Sequence, residues 1–304
     1  MEFPLVFDST LIAAFRSCPQ KARLAYLEHW KPQDQSVHLH AGGAYAAGLE
    51  GARTAFFVEG KSKEEAEALG LKKLMEFYGD FQCPPDSAKS LERTAGALEF
   101  YFDRYPLDRD QAVPITLPGG KRGIELSFAE PIDLDDPEML HPETGEPLIY
   151  CGRADTVVDF QGMVLGEDDK TASQLGASWP KQWDLRSQFT GYSWGFLKMN
   201  IPIRGWLIRG VSILKTKYDT MEAITYRPEW QINRWHAQLK RDILRMKEAW
   251  KSDYWDWNLD HACTEYGGCL FRDVCQYQDP KELLQMRFER RKWDPITRKE
   301  YPVG

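Results

Sequence analysis

The chain has 304 residues with 42% hydrophobic content and a formal net charge of −7, enough for one large or two ordinary domains with a substantial core. The charge excludes a wholly basic nucleic-acid coat, though not a local basic groove. No apolar run approaches the roughly 18 residues of a membrane span, and MEFPLVFDSTL lacks the basic flank and cleavage site of a signal peptide, so a cytoplasmic protein with no membrane partner is expected.

In chain order, Asp8 and Ser9 form a capping pair before apolar residues at helical spacing, Leu11, Ile12 and Phe15. Pro19 should break this segment into two helices and leave Cys18 at the joint. AGGAYAAGLEGARTAFF reads as a small-residue helix that packs closely. Two further helices are predicted over 61–80 and 87–105, separated by the breaker CPPD. From residue 122 the period changes, and RGIELSFAEPIDL, LIYCGRADTVVDF and GMVLGEDDKTA read as strands. A helix over 182–199, a strand at GWLIRGVSIL and an amphipathic helix over 229–250 follow. The fold class is therefore α/β, a mixed central sheet flanked by helices. Neither an internal repeat nor a clean linker interrupts it, which predicts one domain over 1–304: a helical lobe (1–110), an α/β core (111–250), and a cysteine segment with a basic tail (251–304). No GxxxxGK[ST] phosphate loop is present.

The strands CGRADTVVDF and MVLGEDDKTA are separated by Gln161 and Gly162, a hairpin turn signal. A two-residue turn there pairs Phe160 with Met163 and sets Asp155 opposite Asp168. With side chains alternating by two, Lys170 joins that face, while Glu167 and Asp169 point elsewhere. Two opposed aspartates repel, which a hard divalent cation such as Mg²⁺ or Mn²⁺ would relieve. Lys170 beside it would orient an attacking water or neutralise charge on a phosphate. A solvated hairpin end is the alternative reading of the same charges.

Asp155 in GRAD and Asp168, Asp169 and Lys170 in EDDKT resemble the signature of the PD-(D/E)XK nuclease superfamily. QFTGY adds Gln188 and Tyr192 at i and i+4, similar to the QxxxY motif of its RecB-like branch. Glu125 in GIELSF matches an acidic position that precedes the aspartate in related enzymes; a surface glutamate is its other reading. The resemblance implies a restriction-endonuclease-like core, with Asp155, Asp168, Glu125 and the backbone carbonyl of Asp169 around Mg²⁺ or Mn²⁺. Lys170, Gln188 and Tyr192 would complete the catalytic set. One departure stands out: where the branch often carries a histidine ligand before a leucine-glutamate pair, GGAYAAGLE has Ala46. His38 and His40 are nearby in sequence but are weak candidates for that role.

Cys263, Cys269 and Cys275 follow a C-x5-C-x5-C spacing, with Gly267 and Gly268 inside the first loop. Three thiols complete neither an iron-sulfur nor a zinc site. In FRSCPQK, Cys18 resembles the first cysteine of the iron-sulfur nucleases, among them the CRISPR-adaptation exonucleases and AddB-type subunits, which implies a 4Fe-4S cluster held by Cys18, Cys263, Cys269 and Cys275. Zinc, with His261 as a substitute ligand, is the alternative. Cys83 and Cys151 read as packing residues. The tail QMRFERRKWDPITRKEY reads as a solvated terminal helix, or as a phosphate-contacting segment whose Phe288, Trp293 and Tyr301 stack on bases. Trp250, Trp255 and Trp257 are expected to pack beneath the cysteine loop.

Taken together, the resemblance implies a metal-dependent exonuclease acting on single-stranded DNA or duplex ends in recombination, repair or phage replication, with a helicase or recombination partner. The alternatives are a catalytically inactive DNA-binding subunit of the same fold and a zinc-stapled structural protein.

Overall fold

Asp8 starts the first helix because its carboxylate accepts the Thr10 and Leu11 amides at 3.1 and 2.8 Å, groups a helix leaves without partners. The computed structural model describes residues 1–264 and 268–303. A two-residue strand β1 (Val6–Phe7) precedes α1 (Ser9–Ser17), and Pro19 opens α2 (Pro19–Ala22), where its missing N–H costs no hydrogen bond. Cys18 is thus left at the joint, as predicted. After β2 (Trp30–Pro32) come three helices, α3 (Val37–Phe57), α4 (Lys63–Tyr78) and α5 (Leu91–Arg104). Ser62 and Glu65 close a capping box on α4. The small residues of α3 admit α4 closely: a Cβ on Gly48 would lie 3.1 Å from the Gly70 carbonyl oxygen.

The main sheet has seven strands, adding β3 (Ala112–Pro114), β4 (Ile124–Pro131), β5 (Ile149–Phe160), β6 (Met163–Ala172), β7 (Gly205–Ile213) and β8 (Tyr218–Tyr226) to β1. Its path runs β1-β5-β6-β7-β8, with β3 and β4 also on β5. The β1/β5 and β6/β7 pairs are parallel and the rest antiparallel, so the sheet is mixed and helices cover it, as expected. All nine residues of β7 are buried, the mark of a strand covered on both faces. α6 (Ser187–Lys198) packs against β4 and β5, and α7 (Glu229–Ser252) packs against α6 and α1. α7 turns Ile232, Trp235, Leu239, Ile243 and Met246 inward at helical spacing.

Besides the short strands β1, β2 and β3, which the sequence reading did not predict, two regions differ from its expectations. β8 was not among them, because this edge strand leaves Ile224 and Tyr226 exposed and buries Thr225, so it shows no clean apolar alternation, and its pairing to β7 defines it. The tail is not a terminal helix. After α8 (His261–Thr264) and α9 (Lys281–Arg287) it forms the hairpin β9 (Phe288–Asp294) and β10 (Lys299–Pro302), and β9 pairs with β2. Phe288 anchors it by stacking on Phe271 at 5.1 Å, and β2 and β10 satisfy its backbone groups from both sides.

Candidate active site

The β5/β6 hairpin holds the predicted register. Phe160 pairs with Met163, and the ladder runs to Thr156 opposite Glu167, so Asp155 and Asp168 are the next residues along. There Asp155 Oδ2 accepts the Asp169 backbone N–H at 3.1 Å. On the other side of β5, Ile124 pairs with Thr156 and Leu126 with Ala154, which sets Glu125 beside Asp155. Glu125 has a positive φ of 49°, a conformation uncommon for a residue with a side chain. Three carboxylates from three adjacent strands therefore share one neighbourhood.

Burial and mutual repulsion dominate their chemistry. Burial pushes the Glu125 carboxyl up to about 7, and the Asp155 charge adds to the rise against the opposing Arg153. Burial also raises Asp168, with Asp155 adding to it and Lys170 opposing it. For the Lys170 ammonium, burial works downward, but Asp168 and Asp155 outweigh it and hold the group above its ordinary value. Lys170 Nζ is ion-paired to Asp168 Oδ1, and Arg153 Nε to Glu125 Oε2 at 2.6 Å. Neither carboxylate oxygen receives a well-directed hydrogen bond. Among the described residues no three His, Cys, Asp or Glu side chains converge as a ready metal cage, since Lys170 and Arg153 each engage one carboxylate. The donor set itself, hard carboxylate oxygens of which Glu125 and Asp168 are raised by burial, fits a divalent cation, which would favour the ionised form of those two.

Gln188 and Tyr192 lie on one face of α6, and Gln188 Nε2 donates to Tyr192 Oη at 3.3 Å. Gly152 of the GRAD segment leaves room for them, because a Cβ there would collide with the Tyr192 ring. Burial raises the Tyr192 hydroxyl above its ordinary value, the Asp168 charge adding to the rise, so the phenol stays neutral beside the site. Ala46 is exposed on α3, between Gly42, whose added Cβ would meet Thr171 Oγ1 at 3.5 Å, and Glu50, whose charge raises Glu125. The sequence reading passed over Glu50, although it is the acid of the leucine-glutamate pair. It also passed over Arg298 at the tail-hairpin turn, whose charge is felt by Glu125 and Tyr192. His40 is structural: its Nε2 lies 2.9 Å from the Tyr78 carbonyl oxygen and its ring stacks on Phe81 at 4.1 Å.

Glu167 and Asp169 turn away to a buried ionic cluster, as the alternation required. Arg53 of α3 pairs with Asp169 at 2.7 Å and Glu167 at 3.1 Å and donates to Tyr101 Oη at 2.9 Å. Arg209 of β7 pairs with Glu167 at 3.0 Å and Glu222 at 2.9 Å, and donates from Nη2 to Asp110 at 2.8 Å. The Asp169 side chain is thus committed, leaving its backbone as the part available to the site. A cavity of about 750 Å³ lies elsewhere, between the N-terminal segment and the tail hairpin. Its Glu2, Asp8, Glu143, Glu146 and Asp294 make a poor channel for a phosphate backbone.

The four predicted cysteines meet. Cys18, Cys263, Cys269 and Cys275 line one small cavity of about 30 Å³ with Trp257 and Phe271. Burial, then the neighbouring Cys269, Cys18 and Cys263, pushes the Cys275 thiol up to about 11. Gly268, at φ 101°, takes a turn that strains other residues; Gly267 lies outside the described residues. His261 is not among the residues lining the cavity. Four sulfur donors around one apolar space match the chemistry of a thiolate-bound metal or cluster, although the thiols do not close into coordination geometry. Trp255 is buried against Phe15. Trp257 borders the cysteine cavity yet is 52% exposed.

No protein-family profile matches the chain, and no curated protein matches it. Among solved structures, the chain is similar to a "Putative exonuclease" from Eubacterium rectale, with a TM-score of 0.43 and 11% identity over 86% of this chain and 88% of that one. It is also similar to SSO0001, with a TM-score of 0.35 and 12% identity over 90% of this chain and 88% of that one. At such identities the chemistry of the site rests on the residues described above. No helix among the described residues is long and apolar enough to cross a membrane.

Proposed function

We propose that the chain is a metal-dependent DNA nuclease that hydrolyses phosphodiester bonds, acting as an exonuclease on single-stranded or end-containing DNA. The observation that carries this reading is the neighbourhood of Asp155, Asp168 and Lys170 across the β5/β6 hairpin, with Gln188 and Tyr192 beside it. Asp155, Asp168 and Glu125, with the Asp169 carbonyl, would hold Mg²⁺ or Mn²⁺. When bound, such an ion would polarise the scissile phosphate and ease deprotonation of the attacking water. Lys170, held protonated by its two aspartates, brings positive charge to the developing phosphate charge. The Gln188 amide and Tyr192 hydroxyl, linked to each other, offer polar contacts that orient the strand. The cysteine set would hold a 4Fe-4S cluster that ties the N-terminal joint to the C-terminal segment.

The test is degradation of 5′- and 3′-labelled single- and double-stranded DNA with Mg²⁺ or Mn²⁺, using anaerobically purified protein and a Lys170→Met control. Hydrolysis by the wild type with a loss of about 10²-fold or more in the control is expected, and the product ladder gives polarity. The exposed Ala46, at the position where related nucleases carry an imidazole, favours a second reading: a non-catalytic DNA-binding subunit. Tight DNA binding without hydrolysis by either protein would replace the first reading with this one.

A further inference from the structure

Alternate residues of β6 serve opposite faces: Asp168 and Lys170 belong to the carboxylate site, while Glu167 and Asp169 meet Arg53 behind it. Arg53 is 6% exposed and uses Nη1 for Asp169 and Nη2 for Glu167. It therefore grips the strand on both sides of Asp168. Asp169 extends the grip, because its side chain takes Arg53 while its backbone N–H donates to Asp155 Oδ2 at 3.1 Å. One guanidinium on α3 is thereby linked to both aspartates of the site. Arg53 and Arg209 carry two positive charges, and Glu167 and Asp169 two negative ones, so the nearly water-free centre of the cluster is balanced. A lysine in place of Arg53 offers one ammonium and cannot fork across two carboxylates.

We infer that Arg53 is a positioning residue for the carboxylate site: by holding Glu167 and Asp169 it sets where Asp168 and Asp155 point, and so sets the affinity of the site for a divalent cation. The inference rests on the nuclease reading for its rate readout alone. Groups that orient metal-binding side chains typically change metal affinity by about 10–100-fold when removed. Merely structural ion pairs change the melting temperature and leave the affinity of the folded protein alone.

The experiment measures Mn²⁺ binding by electron paramagnetic resonance and calorimetry, DNA hydrolysis kinetics and thermal melting, on the full chain and on Arg53→Lys, Arg53→Met and Asp169→Asn. Well below each melting temperature, Arg53→Met should weaken Mn²⁺ binding about tenfold or more and lower kcat with little change in KM for DNA. Arg53→Lys should fall between it and the wild type. Asp169→Asn, which keeps the backbone contact to Asp155, should weaken Mn²⁺ binding less than Arg53→Met. Should Arg53→Met not fold, Arg53→Lys and Asp169→Asn decide alone. Folded variants whose Mn²⁺ affinity stays within about twofold of the wild type, less than the 10–100-fold loss expected of an orienting group, would overturn the inference. A wild type that binds Mn²⁺ without hydrolysing DNA would refute the nuclease reading while the binding readout still judges Arg53. A wild type that binds no Mn²⁺ would overturn both.

Discussion

Replacing Arg209 by Met keeps a long apolar stem in the centre of β7 but removes the guanidinium, a group 2% exposed. Its Nη1 pairs with Glu167 at 3.0 Å and its Nε with Glu222 at 2.9 Å, and Nη2 donates to Asp110 at 2.8 Å. The guanidinium also lies over the Tyr105 ring at 4.0 Å, a contact Met retains only as packing. Glu222 has a side chain 40% exposed and turns to water easily, and Asp110 at 15% does so in part, whereas Glu167 at 2% does not. Glu167 keeps Arg53 at 3.1 Å, but that one guanidinium then faces two buried carboxylates, Glu167 and Asp169, so the cost is that of one buried charge without its counter-charge, about 3–5 kcal/mol. For a chain of 304 residues the unfolding entropy is about 0.6 kcal/mol per kelvin, so the melting temperature should fall by about 5–8 °C. Calorimetry on wild type, Arg209→Met, Glu167→Gln and the double variant closes the cycle. The double variant should recover most of the loss, since Arg53 then faces the single buried charge of Asp169. A fall under about 2 °C in the single variant, well short of that range, or a double variant no better than the single, would refute the reasoning.

Lys89 is 3% exposed and donates to the Ala172 carbonyl oxygen at 3.3 Å, and burial pushes its ammonium down to about 8. Because the folded value lies below the ordinary 10.5, the folded chain binds fewer protons between those values and its stability rises with pH there. Lys89→Met should therefore melt above the wild type at pH 7 and lose that advantage by pH 10; a gap that stays constant across the window excludes the burial cost as its source. On the proposed cluster, the anaerobic wild type should carry colour, iron and acid-labile sulfide and Cys18→Ser should lack them and melt lower; full iron retention by the variant would exclude Cys18 as a ligand, and a colourless, iron-free wild type would exclude the cluster. A methyl group on Gly191 would lie 2.5 Å from Trp235 Cζ2, so Gly191→Ala should cost about 1–3 kcal/mol of overpacking, read as a lower melting temperature; an unchanged one would show that Trp235 yields freely.

Much of the candidate site was legible because it is local. A hairpin with a two-residue turn and a period of two has one register that buries Val158 and Leu165, and that register brings Asp155 to Asp168 by counting alone. Gln188 and Tyr192 follow from the helical repeat in the same way. The tail was misread because a run rich in Arg and Lys carries no periodic mark of a strand when its pairing partner, β2, lies about 260 residues earlier. Glu125 was placed in the sheet, but its positive φ and its pairing with Arg153 depend on contacts across strands.

By itself, then, the sequence determined most helices, the central strands, the hairpin register and the C-terminal cysteine triplet, since each is written in spacing, caps and turns within a short stretch of chain, whereas Cys18 joined the thiols only through the family resemblance. Tertiary structure alone decided what stands behind the hairpin and around it. Arg53 and Asp169 are 116 positions apart, and Arg209 and Asp110 are 99 apart. No local pattern marks such partners, because a buried charge finds its counter-charge by the packing of α3 and β7 on the sheet, a consequence of burial energetics over the whole core.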